Sequence, residues 1–148
     1  MLRRQIEQEK AKHYHGSTQI RGMHIENIVS IKKQPLIDLH GESCKYQVIW
    51  QDDDHGKLFN TARPEGMESF TNFARLTINP GKSNNMHTHE GIEQVYIVQK
   101  GGGTVQVGEE RKEVKSGDVV FLPSDIPHGF FNTTDKQAIV MLVGTSTK

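Results

Sequence analysis

Residues 81–132 read GKSNNMHTHEGIEQVYIVQKGGGTVQVGEERKEVKSGDVVFLPSDIPHGFFN. Short apolar or alternating runs, Ile92–Gln99, Thr104–Val107, Asp118–Leu122 and His128–Phe131, have the length and β-branched character of strands. Turn residues punctuate them: Gly101-Gly102-Gly103, Gly108-Glu109-Glu110 and Ser116-Gly117-Asp118. The same rhythm runs outward to Ile28–Lys33, Lys45–Trp50 and Asn72–Asn79 upstream, and to Ala138–Val143 downstream. Asn79-Pro80-Gly81 and Asn132-Thr133-Thr134 supply the breaks. Many short strands with no helical pattern between them predict an all-β fold, an antiparallel barrel of jelly-roll type. No internal repeat divides the chain, so residues 28–148 are read as one domain and residues 1–27 as a short N-terminal extension, partly helical or extended. Within that extension residues 2–12 favour a helix, but only Leu2, Ile6 and Ala11 are apolar, too few for a packed face.

The 148 residues suit a single domain of ordinary size. Eighteen basic and 18 acidic side chains balance to a net charge of +0, with a pI near 7.1. That balance speaks against a protein built to grip nucleic acid or an anionic membrane, both of which demand basic excess. Mean hydropathy is −0.61, and the longest apolar run, Ala138 to Val143, falls far short of the ~20 residues a membrane span needs. A single cysteine, Cys44, permits no internal disulfide and suits a reducing compartment. The opening MLRRQIEQEKAKHYHG lacks the apolar stretch of a signal peptide, so a cytoplasmic location is expected.

The chemistry lies in the quoted stretch. His87 and His89 stand at i and i+2, which in a strand puts both imidazoles on one face. His128 follows a turn at the start of a later strand. Three histidines converging inside a barrel make a facial site for a divalent transition metal. Other features read as ordinary structure. Asp52-Asp53-Asp54-His55 lacks the periodicity of a calcium loop and is a solvated turn. Gly81-Lys82-Ser83 is no phosphate loop, because the required first glycine would fall at Leu76. His13, His15, His24, His40 and His55 fit no ligand pattern and are expected at the surface, with Cys44, Phe131 and Met141 in the core.

Two longer patterns carry a resemblance. Gly-x5-His-x-His-x4-Gln-x6-Gly runs from Gly81 to Gly101, and Gly-x5-Pro-x-Asp-x2-His-x3-Asn runs from Gly117 to Asn132. In this order and at this separation they resemble the two motifs of the cupin superfamily, in its small single-domain form. The resemblance implies a jelly-roll barrel with one divalent ion (nickel, zinc, manganese or iron) held by His87, His89, Gln94 and His128. Asp125 departs from the glycine usual before the last histidine, a minor change in a turn that tolerates Asp. The fourth ligand in the family is usually glutamate, and Glu93 stands beside Gln94 as the alternative. The spacing forward to Gly101 and the shared strand parity with Tyr96 and Val98 favour Gln94.

Three imidazoles and an amide oxygen would leave the ion its full charge, making it a stronger Lewis acid toward an anionic or oxygen-chelating small molecule. That set is similar to the one in cupins of pectin and alginate breakdown that act on unsaturated uronates. The implied function is Lewis-acid isomerisation, tautomerisation or lyase chemistry on a sugar acid or keto acid. Tyr96, on the ligand face, is the candidate proton carrier, and Arg75 the candidate carboxylate grip, although Arg75 points outward if the apolar side of its strand is the barrel interior. Alternatives are an iron-dependent dioxygenase and a non-catalytic ligand-binding or sensor barrel. Val119–Leu122 and Ile139–Leu142 are apolar at both parities, so both faces need cover. With the family's habit of sheet packing, this implies a homodimer.

Overall fold

The structure is a computed structural model that describes residues 18–20, 23–36, 41–52 and 62–148. The expected helix over 2–12, the surface positions His13, His15, His40 and His55, and most of the acidic turn after Asp52 lie outside the described residues. The described strands are β1 (Thr18–Ile20), β2 (Gln34–Leu36), β3 (Gly41–Gln51), β4 (Ala62–Pro64), β5 (Phe70–Ile78) and β6 (Ser83–His87). They continue with β7 (Ile92–Lys100), β8 (Gly102–Val107), β9 (Glu110–Lys115), β10 (Val119–Leu122), β11 (His128–Phe131) and β12 (Ala138–Ser146).

Two antiparallel sheets face each other, one in the order β10-β7-β12-β5-β3-β2 and the other β6-β11-β8-β9. β12 inserts between β5 and β7 rather than beside β11, the crossover that closes a jelly roll. A separate pair, β1 with β4, is parallel. Period-two alternation sets the interior. Cys44, Tyr46 and Val48 of β3, Ala74, Leu76 and Ile78 of β5, Tyr96 and Val98 of β7, and Ala138, Val140 and Leu142 of β12 share one core. Val105, Leu122 and Phe130 complete it from β8, β10 and β11. Each large apolar side chain so buried contributes roughly 1.5–3 kcal/mol.

One expected strand is corrected, and one strand was not expected. Ile28–Lys33 is not a strand: Ile28–Ser30 is a 3-10 turn whose N-cap, Asn27, accepts a hydrogen bond from the Val29 N–H at 3.0 Å. Gln47 then donates from Nε2 to the carbonyls of Ile28 (3.0 Å) and Ile31 (2.9 Å), fastening this turn to the outer face of β3. β9, ERKEVK, has a strand's backbone without a strand's composition. It is a sheet edge, where charged side chains discourage further pairing.

The glycine run is only partly a turn. Gly101, at φ +72°, makes the reversal, while Gly102 and Gly103 already belong to β8. A Cβ on Gly103 would collide with the Phe131 carbonyl and lie 2.9 Å from Phe130 Cε1, so the strands approach closely only because it has none. Phe130 is in the core, but Phe131 is half-buried on the outside with the Arg111 guanidinium 4.8 Å over its ring. Met141 is buried on the outer face of its sheet, across from Arg75. His24 also departs from a plain surface position: its ring packs edge-on against Trp50 at 5.7 Å and lies 3.6 Å from Glu26.

Candidate metal centre

His87 ends β6 and His128 begins β11, and the two are directly paired across those strands. His89 is not in a strand, since β6 stops at His87; the imidazole reaches the site from the following loop rather than through shared strand parity. One nitrogen from each of His87, His89 and His128 lies within 4.8 Å of the others, the spacing a single ion can bridge. Ring centroids are 4.4 Å apart for His87–His128, 4.8 Å for His87–His89 and 5.7 Å for His89–His128. His87 and His128 are buried, and His89 is half-buried.

The backbone orients two of the rings. His87 Nδ1 contacts the Asn85 carbonyl, and His128 Nδ1 lies 3.3 Å from the Ile126 carbonyl. A carbonyl at Nδ1 holds the proton there and turns Nε2 toward a ligand. Burial pushes the His128 pKa down, with the Ile126 contact acting weakly against it, so the ring favours the neutral form that binds metals.

β7 carries both residues weighed as a fourth ligand, Glu93 and Gln94. Gln94, Tyr96 and Val98 face inward, and Gln94 is 4% exposed; Glu93 alternates to the other face and is half-buried. Tyr96 and His128 are 6.0 Å apart in edge contact, which puts the inner face of β7 against the histidines. Among the buried side-chain polar atoms with no hydrogen-bond partner are Gln94 Oε1 and His128 Nε2. Buried orphans are costly, and a bound cation is one way to satisfy a carbonyl-type oxygen and an imidazole nitrogen together. The residues present therefore fit a divalent ion.

Of the two residues singled out for acid–base or anion work, Tyr96 lies against His128 and Arg75 on the outer face of the sheet. The Tyr96 phenol is fully buried and accepts a hydrogen bond from Asn84 Nδ2 at 3.2 Å; burial pushes its pKa well up. It stays protonated at neutral pH and can donate but not act as a base. Arg75 alternates away from Ala74 and Leu76 to the outer face, where its Nε donates to Gln47 Oε1 at 2.9 Å. It is across the sheet from the histidines and in no position to grip a ligand there.

Two buried asparagines have roles that the sequence reading did not assign. Asn84 is fully buried beneath the site, receiving the Tyr46 hydroxyl at 3.1 Å as it donates to Tyr96. Strict alternation would have grouped Asn85, not Asn84, with His87; a register shift between β6 and β11 swaps them. Asn132, last residue of the second pattern, is a structural hub. Its Nδ2 donates to the carbonyls of Ile78 (2.9 Å) and Lys136 (2.7 Å), and its backbone pairs with Gly81 and Lys82 at the start of the first pattern.

Residues 74–144 match the cupin domain family. An oxalate-binding protein of Thermotoga maritima is 33% identical over 73 residues, 48% of this chain and 60% of that protein. The matched stretches thus span 60% and 47% of the curated relatives' lengths. Among solved structures, a predicted oxalate decarboxylase of Thermotoga maritima superposes with a TM-score of 0.67 at 19% identity, over 83% of this chain and 99% of that one. KdgF from a Halomonas species gives 0.62 at 14% identity, over 86% and 96%. At such identities the likeness concerns the fold.

Proposed function

We infer, with residues 74–144 being a cupin domain, that this chain is a metal-dependent small-molecule protein whose ion is held by His87, His89, Gln94 and His128. The observation that carries the reading is the convergence of three imidazoles, and the buried, inward-facing Gln94, whose Oε1 has no hydrogen-bond partner, supports the fourth ligand. Gln94 is preferred to Glu93 because it faces the interior and Glu93 does not. When bound, a divalent ion in this neutral ligand set supplies Lewis acidity to an anionic or chelating oxygen ligand.

The substrate class proposed is a small sugar acid or keto acid, and the reaction an isomerisation, tautomerisation or lyase step. The chain's own contribution is to orient two of the imidazoles through carbonyl contacts at Nδ1. Tyr96 could lend a proton only as a donor from behind His128, so a base would have to come from the ligand or from water. A second reading, a barrel that binds its ligand without turning it over, draws support from the relative whose name is that of an oxalate-binding protein. We place the protein in the cytoplasm, as a homodimer.

Elemental analysis of tag-free protein tests the metal reading. About one transition metal per chain is expected, lost in His128→Ala, weakened in Gln94→Ala by roughly 10–100-fold in affinity, and kept in Glu93→Ala. A wild type that stays metal-free after incubation with nickel, zinc, manganese and iron(II) sinks it. Incubating the loaded protein with uronates and keto acids separates turnover from binding, and oxygen uptake with iron(II) would instead mark a dioxygenase.

A further inference from the structure

Asp125 has φ +65° and is, among the described residues, the non-glycine residue with a left-handed backbone. Glycine adopts that conformation without cost, whereas a side chain there is strained, Asp less than most. Local geometry alone would therefore favour glycine, and what Asp adds is its carboxylate. That carboxylate is engaged: Oδ1 accepts the Gly91 N–H at 3.3 Å and Oδ2 accepts the Ser124 hydroxyl at 3.1 Å. The Asp125 N–H in turn donates to the carbonyl of His89 at 3.1 Å. One residue of the loop that delivers His128 thus holds both the His89 backbone and the amide two residues beyond it. The far side of the His89 loop is tied as well, because the Gly91 carbonyl accepts from Thr147 through N–H (3.0 Å) and Oγ1 (3.2 Å).

His89 needs such a tie. His87 and His128 are fixed by strand pairing, but His89 sits in the loop between β6 and β7 with no ladder of its own. Its ring is the more exposed of the three and the farthest from His128. We propose that Asp125 is a positioning residue, a strap that fixes the His89 loop against the His128 loop and thereby sets the separation of these two imidazoles at the ion. The metal-dependent part of this rests on the ligand set proposed above. The strap itself does not.

Two variants test it. Asp125→Gly keeps the backbone angle and the N–H bond to His89 but removes the carboxylate; Asp125→Asn keeps an acceptor oxygen. With cobalt(II) loaded as the probe, release into excess chelator should be about tenfold faster in Asp125→Gly and close to wild type in Asp125→Asn. The melting temperature of the metal-free Asp125→Gly should stay near or above that of wild type, since relief of backbone strain offsets an exposed hydrogen bond. Wild-type release in Asp125→Gly, or fast release that Asp125→Asn fails to restore, overturns the assignment. Amide exchange at Gly91, measured without metal, serves if the wild type binds none. Faster exchange in Asp125→Gly supports the strap, and unchanged exchange overturns it.

Discussion

At the scale of single residues, the core carries more polar chemistry than a barrel of this size needs for packing. Asn84 joins the hydroxyls of Tyr46 and Tyr96, and all three are buried. Asn84→Ala removes one hydrogen bond from each of two buried phenols, and chemical denaturation should show a total loss of about 1–3 kcal/mol. Burial also pushes up the pKa values of Cys44, Tyr46 and Tyr96. The sign follows from proton linkage. The unfolded chain releases these protons near the ordinary values of 9.0 for a thiol and 10.0 for a phenol, while the folded chain keeps them. Stability is therefore intact below the thiol value and falls as pH rises past about 9. A melting temperature that holds flat from about pH 8 to pH 10.5 contradicts this. Cys44 should also resist thiol reagents in the native protein and react as one thiol per chain once unfolded, because it is 0% exposed.

Elements were legible in proportion to how well their composition reflected their burial. β5 and β7 could be read directly because their alternation of apolar and polar residues is imposed by one inward face, and β10 and β12 because their apolar runs are bounded by turn residues. β9 could not, because an edge strand with one free side is best served by charges, and charges carry no strand signal. The turn at Ile28–Ser30 misled for the opposite reason: Ile28, Val29 and the flanking Ile31 imitate a strand, while the cap at Asn27 and the reach of Gln47 from β3 make it a turn. Gly103 shows what sequence understates. Gly103→Ala would press a methyl into the Phe131 carbonyl. It should cost roughly 1–3 kcal/mol, or prevent folding where the two strands cannot separate. Gly117→Ala, with open space around its Cβ, would strain only its φ of +95° and makes the control.

For the whole molecule, the outer face of the larger sheet bears on assembly. Val119 pairs with Ile97 and Met141 in one row across β10, β7 and β12, and Phe121 with Val95 and Val143 in the next. Val119 and Phe121 at its edge are 64% and 56% exposed. This is where the proposed homodimer would bury apolar surface, so light scattering at micromolar concentration should report a dimeric mass, reduced toward the monomer by Phe121→Glu. A monomeric wild type removes the proposal. The sequence alone determined that the chain is an antiparallel β-barrel and which histidines stand where an ion could be held, because period-two burial and turn chemistry are local and leave their mark residue by residue. Only the tertiary structure decided that Arg75 turns away, that Asn84 rather than Asn85 lies beneath the site, and that Asp125 ties the His89 loop. Each of these depends on a register shift, a sheet face or a contact between segments distant in the chain, and no local pattern encodes such pairings.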